Sequence, residues 1–308
     1  MLNLAASPFT PVFPLESPTV DAVTLQARAA QFAQRSIKAE AKLAGIDLAI
    51  ACTDLTTLEG RDSPGRVRSL CAKAISPALG VRSVAAVCVY PNLVSTARAA
   101  LSGTTLKVAS VATAFPSGLS SLEVKLADAQ AAIDAGADEV DMVIDRGALL
   151  AGDEQRVWNE VVEVKRLCGL APRTVHLKAI LEAGELGSYD EIRRASDLAL
   201  YAGADFIKTS TGKIGTSATL PIALCMAEAI HDFETKTGEV RGFKAAGGIR
   251  TTKVALAYLC LMKEALDERW LSPGLFRIGA SALLDDLLMQ REKELTGHYA
   301  GIDYYTRD

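Results

Sequence analysis

Apolar residues gather in short runs along the chain, separated by longer stretches where they recur at helical spacing. Eight runs stand out, at residues 48–52, 84–89, 107–112, 139–144, 175–181, 205–208, 240–244 and 275–279. Each is a brief β-branched or apolar run followed by a Gly, Ser, Thr or Pro loop, as strands covered on both faces are. Ala-rich segments such as 122–135 and 190–202 supply amphipathic helices between them. Two joints share one wording, Ala135-Gly-Ala-Asp-Glu139 and Ala202-Gly-Ala-Asp-Phe206, and in each the Gly suits the left-handed residue that follows a helix. Ahead of the rhythm, residues 21–44 contain neither Gly nor Pro and predict one helix ended by Gly45. Residues 1–20, rich in Pro and Ser, read as a loose tail.

Strands that alternate with helices pair in parallel, and eight of them close into a ring. The predicted fold is therefore α/β, a (β/α)8 TIM barrel with an N-terminal helical extension. Its parts are a tail and helix at 1–45, the barrel at 46–290, and a C-terminal tail at 291–308. A length of 308 residues does not force a second domain, because such barrels run to about 250 residues as one unit. A doubly wound open sheet is the competing architecture, but no G-x-G-x-x-G follows the first run.

Composition narrows the function. With 49% hydrophobic and 23% charged residues the chain is not disordered. No uncharged apolar run is long enough for a membrane span, and no basic region followed by an apolar stretch marks a secretory signal. A net charge of −4 without a Lys/Arg block argues against nucleic acid as a partner. The six cysteines lack C-x-x-C spacing, which fits reduced thiols and a cytoplasmic setting. His176, His231 and His298 are far apart and outline no metal site.

In a barrel the chemistry lies at the C-terminal ends of the strands, and the unusual residues there are lysines. Lys178, Lys208 and Lys244 stand in three successive apolar runs, 30 and 36 residues apart, so three neighbouring strands aim ammonium groups into one lumen. Buried cations in company depress one another's pKa, and an amine brought toward neutrality is what Schiff-base chemistry needs. Asp141, sharing a strand face with Glu139 and Val143, is placed to balance an ammonium or shuttle protons. Asp54, at the end of the first strand, is a second acidic candidate. Three loops offer an anion site: Thr209-Ser-Thr-Gly212-Lys213, Ala246-Gly247-Gly248-Ile-Arg250, and Gly279-Ala-Ser281 opening a helix.

These residues sit in longer motifs: Asp54-Leu-Thr-Thr-Leu58, Ala85-Ala-Val-Cys-Val-Tyr-Pro91, Gly136-Ala-Asp-Glu-Val-Asp-Met-Val143, Leu177-Lys-Ala-Ile-Leu-Glu-Ala-Gly-Glu-Leu186, Asp205-Phe-Ile-Lys-Thr-Ser-Thr-Gly-Lys213, Gly242-Phe-Lys-Ala-Ala-Gly-Gly-Ile-Arg250 and Phe276-Arg-Ile-Gly-Ala-Ser281. Through them the chain resembles the deoxyribose-phosphate aldolases, class I Schiff-base enzymes, over roughly residues 46–290. The resemblance implies reversible cleavage of 2-deoxy-D-ribose 5-phosphate to acetaldehyde and D-glyceraldehyde 3-phosphate, a step of deoxyribonucleoside catabolism, with neither metal nor cofactor. It further implies that Lys178 forms the imine, that Lys208 lowers its pKa and moves protons, and that Asp141 is the acidic member of the relay. Asp54, Thr209, Gly212, Lys213, Lys244, Gly247, Gly248, Gly279 and Ser281 are expected at the phosphorylated substrate. Departures from the family pattern are Ala245 in place of Pro, Ala282 in place of a second serine, and Gly187 in place of a lysine. Tyr304 or Tyr305 stands where some members bring a terminal tyrosine into the site. Two other readings remain open: another Schiff-base lyase of phosphorylated sugars, and a catalytically silent phosphosugar-binding barrel. The first 45 residues are expected to pack on the barrel or to mediate association, a homodimer being the assembly considered.

Overall fold

The computed structural model describes residues 15–299, so Tyr304, Tyr305 and most of the predicted leading tail lie outside the described residues. Two helices come first, α1 (Ala22–Gln34) and α2 (Ala39–Ala51). Eight strands follow: β1 (Thr53–Thr56), β2 (Ala86–Val89), β3 (Lys107–Ala112), β4 (Glu139–Val143), β5 (His176–Ile180), β6 (Phe206–Lys208), β7 (Gly242–Ala246) and β8 (Phe276–Ala280). All pair in parallel and in sequence order, and β8 returns to β1, so the sheet is a closed barrel. Around it lie α3 (Pro64–Ile75), α4 (Val94–Ala100), α5 (Leu122–Asp134), the short α6 (Arg146–Leu150), α7 (Glu154–Leu170), α8 (Tyr189–Tyr201), α9 (Leu220–Thr237), α10 (Thr252–Ala265) and α11 (Leu283–Thr296). The barrel of the sequence reading is thus the observed fold.

Local chemistry sets the helix starts. Ser63, Ser121, Ser188, Thr219 and Thr251 each accept a hydrogen bond from a backbone N–H in the first turn, satisfying a donor the helix itself cannot. Helix α11 opens on Ala282, which offers no such side-chain cap. Every residue of β2, β4 and β7 is buried, since helices cover the outer face and packed side chains fill the lumen.

Two expectations are corrected. Residues 48–52 are the end of helix α2 and its cap, and the first strand starts at Thr53. Ile46, Ala49, Ile50 and Cys52 are all fully buried, so this helix end is apolar on several sides and carries no amphipathic signature. The predicted single helix over 21–44 is also two helices, broken between Gln34 and Ala39, with Gly45 inside the second. A Cβ at Gly45 would lie 2.7 Å from Leu256 Cδ2 on α10; this glycine serves close helix packing rather than termination. The extension lies on its own barrel: α1 buries Leu25, Ala29 and Phe32 against α9 and α10, and α2 packs on α10 and α11. Among the described residues, no helix is long and apolar enough to cross a membrane.

Candidate active site

Seven charged side chains meet inside the barrel, all of them buried: Asp54, Glu139, Asp141, Lys178, Lys208, Lys244 and Arg277. Strand alternation puts them there, and the register aligns Asp141 with Lys178, Lys208 with Lys244, and Lys244 with Arg277 on adjacent strands. Asp141 is the hub. Its Oδ1 accepts from Lys178 Nζ at 2.8 Å, while its Oδ2 accepts from Lys208 Nζ at 2.7 Å and Lys244 Nζ at 2.8 Å. Lys178 also donates to Glu139 Oε2. Lys244 pairs with Asp54 Oδ2 at 2.6 Å. Arg277 bridges the other two carboxylates, from Nη1 to Asp54 Oδ1 at 2.6 Å and from Nη2 to Glu139 Oε1 at 2.7 Å. The Phe206 ring lies 6.0 Å from Lys178 Nζ and 5.9 Å from the Arg277 guanidinium.

Four cations share three carboxylates here, so one amine is short of a partner. It is Lys208. Among the described residues Lys178 and Lys244 each touch two carboxylates, whereas Lys208 touches Asp141 alone, which the other two lysines also draw on. The proton affinities follow from this. For Lys178, burial opposes the charge, but Asp141 and Glu139 outweigh it and hold the ammonium above its ordinary value. For Lys244, burial is likewise overcome by Asp141 and Asp54. For Lys208, burial together with the neighbouring Lys244 charge exceeds the support of Asp141, and the pKa is lowered. Burial pushes the Asp141 carboxyl upward, but the three ammonium groups carry it well below its usual range. The expectation of a depressed amine at Lys178 is therefore reversed: the depressed one is Lys208, because two carboxylates, not one, surround Lys178.

A cleft of about 230 Å³ opens above this cluster at the C-terminal ends of the strands. Its wall includes Lys208, Gly212, Lys213, Lys244, Gly247, Gly248, Gly279 and Ser281, as the sequence reading expected, together with Arg66, Arg250 and the start of α11 at Ala282. Lys178, Asp141, Asp54 and Thr209 are not among its lining residues. Asp54 is committed to Lys244 and Arg277 beneath the cleft. Thr209 is committed to the next strand, its hydroxyl donating to the Ala246 carbonyl at 3.0 Å and accepting from the Ala246 N–H at 2.9 Å. Both are corrections to the expected substrate contacts: their polar atoms are already used within the fold. Gly247 adopts φ +86°, and a Cβ there would come within 2.4 Å of Ser217 Cβ, so only glycine brings this backbone to the cleft.

Glu139, Arg277 and Glu182 were missed as site residues. Arg277 interrupts an apolar run in the same way as the three lysines, and Glu139 shares the face of Asp141, so both signals were present in the sequence. Glu182 is fully buried in a left-handed conformation (φ 52°), and its Oε1 accepts from the Thr211 N–H at 3.0 Å while Oε2 accepts from the Thr211 hydroxyl. It pins the loop that carries Gly212 and Lys213, and nothing local in Leu-Glu-Ala-Gly announced that. Cys88, on β2, is fully buried, and burial pushes its thiol upward, toward the inert protonated form.

The geometry is that of buried amines beneath a rim of glycines and cations, and the comparisons say which proteins share this fold. The model of the DeoC/LacD family aldolases matches residues 48–286. The chain belongs to the DeoC/LacD aldolase family. Among this family's curated members, the deoxyribose-phosphate aldolases of Mus musculus and Homo sapiens are 47% and 44% identical to it over 281 residues, covering 87% of each chain. Of the solved structures, a putative deoxyribose-phosphate aldolase from Toxoplasma gondii ME49 aligns with a TM-score of 0.73 at 25% identity, over 82% of this chain and 96% of that one. That from Aeropyrum pernix, described as a unique tetrameric structure, aligns at 0.64 and 26% identity, over 91% and 100%. This DeoC/LacD member therefore has relatives of one named activity.

Proposed function

We propose that the chain is a deoxyribose-phosphate aldolase, with Lys208 as the imine-forming amine. The observation that carries the reading is the placement of Lys208, buried with a share in one carboxylate, in the wall of a cleft lined by glycines and cations. Identity of 44–47% to enzymes of that name supports the substrate.

The unprotonated Lys208 Nζ attacks C1 of the open-chain sugar, and the carbinolamine takes up one proton through the Asp141 relay and loses water, leaving a protonated imine. Acetaldehyde carries two carbons, so the bond that breaks is C2–C3. Its electron pair moves to the iminium nitrogen, the C3 hydroxyl gives up its proton, and D-glyceraldehyde 3-phosphate departs. The enamine takes a proton at C2 and water releases acetaldehyde. Asp141, bonded through one oxygen to both Lys208 and Lys244, links the amine that must be neutral to one that stays charged, and protons pass along that path. Lys178 holds Asp141 from the other side, a positioning role in place of the nucleophilic one that the resemblance implied. The phosphate sits against Gly212, Lys213, Gly247, Gly248, Gly279, Ser281 and the uncapped start of α11. Six free cysteines support a reducing, cytoplasmic setting.

Borohydride reduction in the presence of acetaldehyde, followed by peptide mass mapping, tests the assignment. The expected product is an ethyl adduct on Lys208, accompanied by cleavage of 2-deoxy-D-ribose 5-phosphate in a coupled assay. An adduct on Lys178 restores the other assignment. No adduct and no cleavage leaves a phosphosugar-binding barrel.

A further inference from the structure

Five cations line the cleft, Arg66, Lys208, Lys213, Lys244 and Arg250, and among the described lining residues there is one carboxylate, Glu59. It is not turned away from them. Lys213 Nζ donates to Glu59 Oε1 at 2.8 Å, which ties the loop after β6 to the loop after β1. The β1 loop is built to present Glu59 there. Asp62 Oδ2 accepts from the Glu59 N–H at 2.9 Å, and its Oδ1 accepts from the Thr57 hydroxyl at 2.8 Å and pairs with Arg66 Nε at 3.3 Å. The Asp62 side chain is 2% exposed, whereas that of Glu59 is 54% exposed. A hydrogen-bonded loop thus presents a solvent-exposed carboxylate to a lysine of the cleft.

We infer that Glu59 is an internal competitor for the substrate phosphate. It occupies Lys213 while the cleft holds no anion, and an arriving phosphate displaces it by adding the glycine N–H groups that a side-chain carboxylate there does not reach. A binding group that is partly occupied from within lowers apparent affinity by the occupied fraction. The same discount applies to the phosphorylated product, so Glu59 loosens D-glyceraldehyde 3-phosphate as well as substrate and favours release. The inference rests on the phosphate rim of the proposed function.

Glu59→Gln keeps the shape and removes the charge. Calorimetric titration with inorganic phosphate is expected to show binding tightened roughly two- to five-fold, the range an exposed ion pair supports. KM for 2-deoxy-D-ribose 5-phosphate is expected to fall in parallel, and KM for unphosphorylated 2-deoxy-D-ribose not to follow. In a Lys213→Met background the gain should vanish. Unchanged or weaker phosphate binding by Glu59→Gln would overturn the inference, since Glu59 would then merely orient Lys213. A gain that persists without Lys213 would overturn it too, by showing a general field effect. Wild-type protein inert toward the sugar phosphate would sink the catalytic reading, while the phosphate titrations would still decide the role of Glu59.

Discussion

The floor and the mouth of the barrel hold the same kind of side chain under different terms. On the floor, Lys178 is enclosed by Glu139 and Asp141, with Arg277 securing Glu139 from behind. At the mouth, Lys208 has only a share of Asp141 and a second ammonium close by. Both side chains are nearly fully buried, at 0% and 3% exposure, so the extent of burial does not separate them. The number of carboxylates within reach does: two raise the proton affinity, and a shared one leaves burial and repulsion in control. In the proposed reading the floor sets the geometry, and the mouth carries the less balanced amine that does the chemistry.

The sharpest way to break this contrast is to remove each lysine in turn. Lys208→Met is expected to abolish adduct formation and to cut kcat/KM by about 10⁴-fold or more, with the fold retained. Lys178→Met is expected to keep borohydride trapping at Lys208 while lowering stability, because Glu139 is left with Arg277 alone and Asp141 loses one of three ammonium partners; thermal and urea unfolding measure this. If Lys178→Met lost trapping and Lys208→Met kept it, the two regions would exchange roles. At the rim, Gly247→Ala forces a left-handed alanine against Ser217, a strain of about 1–3 kcal/mol. A KM for the sugar phosphate raised about ten-fold, with little change in KM for the unphosphorylated sugar, is the expected reading.

The finest distinction is in pH. Imine formation needs neutral Lys208, so kcat/KM should rise with pH and level off below the 10.5 of an ordinary lysine. Lys244→Met should move that bend upward, since Lys244 is one cause of the depression. Stability runs in opposite senses for the two amines. Between the lowered Lys208 value and 10.5 the unfolded chain holds a proton that the folded chain lacks, so stability grows as pH rises through that window. The raised Lys178 value supplies stability fully present below 10.5 and lost as pH climbs through the folded value.

The barrel was legible because parallel strands write themselves as continuous apolar runs, and seven of them, β2 to β8, fall within about two residues of where the pattern put them. The first run failed for a matching reason: at residues 48–52 a helix buried against other helices is as continuously apolar as a strand. The three lysines were legible as charges inside apolar runs. Their ranking was not, because it depends on which carboxylates lie across the lumen. Asp54 and Glu139 decide it, one by occupying Lys244 and the other by occupying Lys178. Spacing along one strand does not reveal a partner on another.

Closure of the ring has a consequence for how the protein is made. Asp54 is among the first barrel residues to leave the ribosome, and Arg277, its partner, follows 223 positions later. Through most of synthesis that carboxylate has no guanidinium to meet and keeps its water. The cylinder closes only when the eighth strand docks between the seventh and the first, so Asp54 meets its guanidinium only after residue 277 has been made.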